Sequence, residues 1–346
     1  MYLQLRFLPC FLALLGFLLP SAALPASSTS ISVSFPYTVI HQFPSGVSVE
    51  NQVVRQSDGA ILVTILTSPD VYLVSPDNTY DPVLVARFPQ SLSNTGIVEI
   101  EKNVFYVATG NLTFSPPVLT FFSYSIWKVD LTKPDANGAG KLTKVADVPQ
   151  VGFVNGMTLL NKQAGIILIA DSWLGVVWSL NVKTGVVDLA INDTTMAAPG
   201  TADAINGIKV QGQKLYYTNQ YKNTFNKIGI NLNTGHATGS AVTLVSSTDL
   251  ALDDFTFDAA GNVYIASRLG EIAFVRNAVS ATGPVAVQAI EQSAFQTNFA
   301  TPTSFQFGIR AIDLRRGSAY VTTNGVSGNA TTPGASVSRI DLGSFV

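Results

Sequence analysis

A repeated Asn-Gly dipeptide at a fixed spacing is the feature that most constrains how this chain folds. One copy starts at Asn155-Gly156 and the second at Asn206-Gly207, 51 positions later. Each pair precedes two short runs of strand-forming residues, and each copy ends on a Thr-Gly turn. A more divergent third copy starts at Asp253-Asp254, 47 positions further on. A period of about 40–50 residues with about four strands per unit is typical of β-propeller blades.

The rest of the chain divides into units of similar length. We expect their first strands to open at Glu50, Thr95, Asn155, Asn206, Asp253 and a residue near Phe307. In blade six the predicted strands are 308–312, 319–323 and 337–340. The lone strand-like run 37–43 is expected to complete the last blade, which would close the ring and remove exposed sheet edges.

The sequence therefore predicts an all-β, six-bladed propeller that forms a single domain over residues 37–346, after a lead-in at 24–36. A two-sheet β-sandwich is the alternative. It would explain the strands but not the repeat register.

The N-terminal segment reads as a secretory signal peptide over residues 1–23, with Arg6, an apolar run and small residues that predict cleavage near Ala23. An uncleaved membrane anchor is the alternative, although the run is short for a span. We expect a secreted chain, in the secretory-pathway lumen or outside the cell. Three Asn-X-Thr sequons, at Asn111, Asn192 and Asn329, are then candidate glycosylation sites.

Composition excludes several classes of function. Charged residues make up 12% of the chain and the net charge is −2, so the basic surface that nucleic acids require is not expected. No second apolar run is long enough to span a bilayer, so no stable membrane anchor is expected. The only cysteine, Cys10, lies in the signal segment, which leaves no thiol nucleophile or cysteine metal ligand after cleavage. The oligomeric state stays open.

Propeller geometry places the candidate functional residues. First strands line the central channel, and the start of each first strand lies beside the end of the second. The openings of the first strands should therefore converge on one channel mouth. Carboxylate and amide oxygens there would suit Ca²⁺. They would not suit zinc, because neither His41 nor His236 falls in this ring. The second strands should bring substrate-binding candidates to the same mouth: Asp171, Trp173, Asn219, Tyr221, Arg268 and Asn324.

Each candidate has a plainer interpretation. The Asn-Gly pairs could be turns, because both residues tolerate left-handed backbone. Glu50 and Asp253 could be strand caps or surface carboxylates. Trp173 and Tyr221 could merely cover the disc, and Arg268 could bind Asp254.

The segments at these openings resemble a known family. They are 50–55 (ENQVVR), 155–157 (NGM), 206–208 (NGI), 253–255 (DDF) and 323–325 (TNG). They resemble the senescence-marker-protein, gluconolactonase and luciferin-regenerating-enzyme-like propellers in their secreted fungal form, over about residues 45–342. The resemblance implies one divalent cation held by Glu50, Asn206 and Asp253, with Asn155 facing the substrate. The family's proline after the first-blade Glu is absent, and Asp254 stands where the family usually has glycine.

The resemblance implies two kinds of enzyme. One is a Ca²⁺-dependent lactone hydrolase, with Asp253 or Asp254 as base. The other is a hetero-Diels–Alderase, which joins a tropolone quinone methide to a humulene-type sesquiterpene and needs small, apolar substrates but no organic cofactor. Asn155, Asn206 and Asp253 are the catalytic candidates. The expected apolar loops 114–122 and 295–307 agree weakly with the second kind, and a non-catalytic binding propeller is the third possibility.

Overall fold

Six four-stranded antiparallel sheets build the protein, as the repeat register predicted. The computed structural model describes residues 35–114, 117–198, 200, 204–290, 301–325 and 334–345. Among these residues, no helix has the length and apolar character needed to cross a membrane.

The first three blades each run from the channel outward in chain order. Blade one contains β2 (Val49–Val54), β3 (Ile61–Ile65), β4 (Asp70–Val74) and β5 (Val83–Arg87). Blade two contains β6 (Ser93–Glu101), β7 (Val104–Phe114), β8 (Pro117–Asp130) and β9 (Lys141–Asp147). Blade three contains β10 (Val154–Asn161), β11 (Ile166–Asp171), β12 (Val176–Asn181) and β13 (Val187–Asn192).

The last three blades follow the same plan. Blade four contains β14 (Ile205–Gln211), β15 (Lys214–Asn219), β16 (Thr224–Gly229) and β17 (Val242–Ser246). Blade five contains β18 (Leu252–Phe257), β19 (Val263–Ser267), β20 (Glu271–Val275) and β21 (Gln288–Ile290). Blade six contains β22 (Pro302–Phe307), β23 (Ser318–Thr323), β24 (Ser336–Asp341) and β1 (Tyr37–Gln42).

The N-terminal strand closes the ring. β1 is the outer strand of blade six and pairs antiparallel with β24, with Tyr37 opposite Ile340. This confirms the prediction for the run 37–43. The hydrogen bonds of this pair join the two ends of the described chain.

Apolar packing between neighbouring blades holds the disc together. The described residues form six buried hydrophobic clusters, and each cluster fills the space between two adjacent blades. Inner strands also contact their neighbours around the whole ring. Because strands are buried on both faces, the alternating pattern of a one-sided sheet gives way to nearly continuous apolar runs such as Ile61–Ile65.

The Asn-Gly pairs are inner-strand residues and not turns. Neither Gly156 nor Gly207 has a positive φ. A Cβ on Gly156 would lie 2.6 Å from the backbone oxygen of Asn206, and one on Gly207 would lie 2.5 Å from Oδ1 of Asp254. Glycine is therefore needed because the next inner strand approaches too closely for a side chain.

Blade six and one connection differ from the sequence predictions. Residues 308–312 do not form a strand. The inner strand ends at Phe307, and a short helix α1 (Ala311–Arg316) follows, with Asp313 accepting a hydrogen bond from the backbone N–H of Arg310 at 3.0 Å. The repeat spacing therefore predicted this inner strand about one strand length too far along the sequence.

The expected loop 114–122 is largely strand as well, and residues 115 and 116 within it lie outside the described residues. β7 and β8 continue past the other strands as a long hairpin, in which Asn111 pairs with Thr120 and Leu112 pairs with Leu119. In the other expected loop, residues 302–307 are β22, and 295–300 lie outside the described residues.

Candidate functional site

Strand register defines a ring of six equivalent residues where the inner strands open. The ring consists of Glu50, Thr95, Asn155, Asn206, Asp253 and Thr303. Five of them are the predicted openings. The sixth is Thr303 and not a residue near Phe307, because β22 starts earlier than expected.

A register shift follows the opening of every inner strand in this ring. Such bulges turn side chains out of the regular alternation and are common beside functional sites. Hydroxyl groups then tie three of the openings to a neighbouring blade. Thr64 Oγ1 donates to the Thr95 carbonyl at 2.7 Å, Thr218 Oγ1 to the Asp253 carbonyl at 2.9 Å, and Thr303 Oγ1 to the Val49 carbonyl at 3.2 Å. The backbone of the mouth is thus fixed by blade-to-blade bonds.

Asp253 occupies the most perturbed electrostatic position in the ring. Burial raises the pKa of its carboxyl well above the ordinary range, and the nearby charges of Glu50 and Asp254 raise it further. The Arg268 guanidinium and a hydrogen bond from Asn206 lower this pKa in part. The structure therefore brings Glu50, Asn206, Asp253 and Arg268 into one electrostatic neighbourhood.

Buried polar atoms without partners concentrate on the inner strands. In the described part of the chain, eight buried side-chain nitrogen or oxygen atoms lack a hydrogen bond, and five of them belong to inner strands. Those five are Gln52 Oε1, Asn94 Oδ1, Thr95 Oγ1, Asn206 Oδ1 and Ser304 Oγ. Buried polar groups are normally paired, so these unpaired atoms are candidates to bind water, an ion or a ligand.

A buried ion pair lies one residue below the ring. Lys209 Nζ is 3.1 Å from Asp254 Oδ2, and the Asp254 side chain is only 2% exposed. Asp254 Oδ1 also accepts the backbone N–H of Phe255 at 2.8 Å. Asp254 thus pairs with Lys209, whereas the charge of Arg268 acts on Asp253.

Two of the predicted substrate-binding residues are engaged in holding loops. Asp171 is fully buried, and its carboxylate accepts backbone N–H bonds from Gly152, Phe153, Trp173 and Leu174 and one from Trp178 Nε1.

Asn219 is also fully buried. Its Nδ2 donates to the carbonyls of Thr195 and Ala197, and its Oδ1 accepts from the Lys222 N–H. These contacts leave Asp171 and Asn219 little capacity for a ligand.

The other predicted substrate-binding residues reach the mouth face with different exposure. Trp173 is half-buried and stacks on Phe121 from the long β7–β8 hairpin, with ring centroids 3.9 Å apart. Tyr221 is 59% exposed on the turn after β15. Asn324, after β23, accepts a hydrogen bond from Thr301. The Phe121–Trp173 stack joins blades two and three.

Tyr124 is a buried polar residue near the ring that the repeat analysis missed. It lies on β8, a third strand, and its ring contacts the ring of Phe153 edge-on at 5.8 Å between centroids. Burial raises the pKa of its phenol well above the ordinary value, and the charges of Glu50 and Asp171 raise it further. Its hydroxyl has no hydrogen-bond partner among the described residues. Only Gly110 could have given a signal, because a Cβ there would lie 2.5 Å from the Tyr124 ring.

The mouth residues fit a hard divalent cation by their chemistry. Asn206 offers a buried Oδ1 without a partner, and the carboxylates of Asp253 and Glu50 interact electrostatically beside it. Amide and carboxylate oxygens are the ligands that Ca²⁺ prefers. No group of three or more His, Cys, Asp or Glu side chains is placed for a metal in the described ranges, so an ion here would depend on the Asn206 amide.

The predicted glycosylation sites are placed in part. Asn192 is exposed at the end of β13, and Asn111 is half-buried in the long hairpin. Asn329 and the predicted signal peptide at 1–23 lie outside the described residues.

No protein-family model matches the chain. Among curated proteins, it is 23% identical over 262 residues to a "Putative hetero-Diels-Alderase" of Phoma sp, covering 69% of this chain and 73% of the relative. It is also 23% identical over 207 residues to the "Putative hetero-Diels-Alderase asR5" of Sarocladium schorii, covering 53% of this chain and 51% of that protein. The chain thus spans about half the length of this second relative.

Solved structures share the propeller fold at lower identity. A luciferin-regenerating enzyme has a TM-score of 0.62 at 13% identity, over 89% of this chain and 95% of that one. Regucalcin of Agrobacterium tumefaciens, described as a calcium-binding protein, has a TM-score of 0.60 at 13% identity, with the same coverage. At this level of identity the likeness shows a common fold and no common activity.

Proposed function

We propose that this protein is a propeller enzyme that joins two small organic partners in a hetero-Diels–Alder reaction at the channel mouth. One observation carries the proposal: amide and hydroxyl atoms without partners, on Thr95 and Asn206, share the mouth face with the Phe121–Trp173 stack. A site of this kind can hold a polar, oxygen-bearing partner and an apolar partner at the same time.

The proposed reaction makes few demands on acid–base chemistry. A quinone methide supplies a C=C–C=O unit and an alkene supplies two carbons. One C–C bond and one C–O bond form while the π bonds shift, and no proton, electron or leaving group departs. Catalysis then comes from holding the reacting atoms in near-attack geometry and from hydrogen bonds to the oxygen that becomes part of the new ring.

The chain's own residues divide these tasks. The amides of Asn155 and Asn206 can donate and accept hydrogen bonds without a change of charge, which suits the oxygens of a tropolone quinone methide. Arg268, whose charge reaches Asp253, adds positive potential beside these oxygens. The Phe121–Trp173 stack offers a flat apolar surface to a hydrocarbon such as a humulene-type sesquiterpene.

The two named fungal relatives support this proposal over other uses of the fold. The names of both relatives describe this reaction class, and the identity to this chain is 23% in both cases. We further propose that the chain is a secreted product of fungal secondary metabolism and that it carries glycans at the exposed Asn192 and at Asn111.

A Ca²⁺-dependent lactone hydrolase is the second candidate, and the unpartnered, buried Asn206 Oδ1 beside Asp253 and Glu50 favours it. When bound, the cation would polarise a lactone carbonyl and lower the pKa of water. Glu50, Asn206 and Asp253 would hold it, and Asp254 would stay paired with Lys209.

One experiment separates these functions. Purified protein is incubated with a lactone panel, and separately with a quinone-methide precursor plus a terpene alcohol, each with Ca²⁺ or with chelator. We expect cyclised product that persists in chelator, a modest loss in Asp253→Ala and a changed stereochemical ratio in Trp173→Ala.

If chelator and Asp253→Ala each abolish all activity while Trp173→Ala behaves as wild type, the cyclase proposal is wrong. No turnover of either substrate class would indicate a binding propeller.

A further inference from the structure

Phe122 is the exception among the residues with left-handed backbone. Six described residues other than glycine have a positive φ: Asn78, Gln90, Asn103, Phe122, Asn223 and Asn277. Asparagine tolerates this conformation because its short polar side chain can hydrogen-bond locally, whereas a bulky residue there is a genuine outlier. At φ 60°, the phenylalanine therefore costs stability that glycine or asparagine would not cost.

The side chain of Phe122 regains little of this cost by packing. Phe122 is 47% exposed, so nearly half of its surface remains in water and contributes no hydrophobic stabilisation. Its neighbour Phe121, by contrast, packs against the buried cluster between blades two and three. Strained backbone is found mainly at ligand-binding and catalytic positions, where the surrounding structure maintains it. A strained residue that also exposes an aromatic ring points to a ligand.

A bulge in the β7–β8 hairpin maintains the conformation of Phe122. The four residues 121–124 of β8 lie opposite the single residue Gly110 of β7. The bulge is fixed by Ser123, whose Oγ accepts the backbone N–H of Asn111 at 3.0 Å. Such bulges re-aim side chains and are common beside active sites.

The contacts of this bulge place Phe122 beside the mouth. The Phe122 backbone N–H donates to the Gly152 carbonyl at 3.1 Å. A Cβ on Gly152 would lie 2.6 Å from Cδ1 of Trp173, so Phe122 and Trp173 both adjoin this glycine. Gly152 precedes Asn155, a residue of the six-residue ring, by three positions. Three residues of chain span at most about 11 Å, so the accessible surface of Phe122 lies close to the polar groups of the ring.

We propose that the exposed side chain of Phe122 is the surface on which the hydrocarbon partner of the reaction binds. The inference rests on the proposed function and names the residue that holds its apolar substrate. A hydrocarbon has no hydrogen-bonding groups, so its binding energy comes from removing apolar surface from water. The strained backbone keeps the aromatic side chain at the mouth, where it is available for this contact.

Phe122→Asn removes the aromatic surface and introduces a residue that tolerates the backbone conformation. We expect KM for a humulene-type sesquiterpene alcohol to rise about tenfold with kcat unchanged, because this contact holds the substrate and the transition state equally. The melting temperature should fall by no more than about 1 °C, because relief of strain offsets the lost packing. Phe122→Leu keeps an apolar side chain and should raise KM by less than about threefold.

Asn78→Phe is the matched control for backbone strain. Asn78 has φ 53° and is exposed on the connection after β4, at the face of the disc opposite the mouth. We expect this variant to melt about 2 °C lower than the wild type, with KM and kcat unchanged. A melting temperature equal to that of the wild type would overturn the strain argument.

Binding of the sesquiterpene alcohol alone, measured by calorimetry, separates this inference from the proposed function. A Kd about tenfold weaker in Phe122→Asn, without cyclised product from the wild type, refutes the proposed function and keeps Phe122 as an apolar contact. Unchanged KM and Kd in Phe122→Asn overturn the inference, while wild-type turnover leaves the proposed function standing.

Two further results would also overturn the inference. A Phe122→Asn protein that melts more than about 4 °C below the wild type would show that the side chain serves packing of the hairpin. If the wild type neither binds the alcohol nor forms cyclised product, the inference and the proposed function fail together.

Discussion

Replacing Asp253 by asparagine should change how the stability of the protein depends on pH. The substitution keeps the shape of the side chain and removes its ionisation. Burial, followed by the charges of Glu50 and Asp254, raises the folded-state pKa of Asp253 well above its ordinary range. A raised folded pKa contributes stability that is complete below the unfolded pKa of about 3.9. That contribution is lost as pH rises toward and through the folded pKa.

The magnitude follows from linkage. Between the two pKa values the folded protein holds one proton that the unfolded chain has released, so the free energy of unfolding falls by about 1.4 kcal/mol per pH unit relative to Asp253→Asn. At pH values between the unfolded and folded pKa, the free energies of unfolding of the two proteins should therefore diverge by about 1.4 kcal/mol for each pH unit, in favour of the asparagine variant.

Chemical denaturation at half-unit steps from pH 4.5 to pH 7.5, in chelator, measures this difference. Asp188→Asn makes the same chemical change at an exposed position of β13 and controls for the substitution itself. A constant difference between wild type and Asp253→Asn across this range would refute the electrostatic description of the mouth. In Ca²⁺ the slope should shrink, because a bound cation stabilises the ionised carboxylate.

Three further outcomes are expected. Gly156→Ala should lower the free energy of unfolding, measured by urea denaturation, by about 1–3 kcal/mol, because its Cβ would lie 2.6 Å from the backbone oxygen of Asn206. Gly239→Ala is the control and should change this free energy little, because a Cβ there would have no atom within 4 Å. Asn155→Ala should lower the cyclisation rate on the order of tenfold at unchanged melting temperature, and a rate equal to wild type would remove Asn155 from the site. Metal analysis of protein purified without chelator should find about one Ca²⁺ per chain, lost in Asn206→Ala; equal metal content in the two proteins would contradict the ligand set.

The fold was predictable because the repeated residues are ones that the close approach of neighbouring backbones requires. Gly156 and Gly207 are needed where neighbouring inner strands meet, and Gly96 meets the same requirement in blade two. Blade six shows the limit of this reasoning. Its ring residue is Thr303, a hydroxyl residue with Ser304 after it, so no Asn-Gly signal marks the strand.

The candidate site was predictable only where it follows the repeat. Register alone identified Glu50, Asn155, Asn206 and Asp253. Register could not show that both oxygens of the Asp171 carboxylate accept hydrogen bonds from loop N–H groups, because those bonds depend on the local backbone path of residues 152–174.

Tyr124 illustrates the residues that register misses. It lies on a third strand, close enough to Glu50 and Asp171 for their charges to act on it, and no fixed spacing in the sequence marks such a position.

The pairing of β1 with β24 also governs when this protein can finish folding during synthesis. Tyr37 is made early, but its partner Ile340 is more than 300 residues later in the chain. Contacts of such long range slow folding, because a long loop must close before they form. Until the last strands leave the ribosome, blade six has no partner for β1, and that strand stays an unpaired edge. A nascent chain of this design must therefore keep its first strand from pairing elsewhere until β24 has been synthesised, which makes β1 a natural substrate for chaperones.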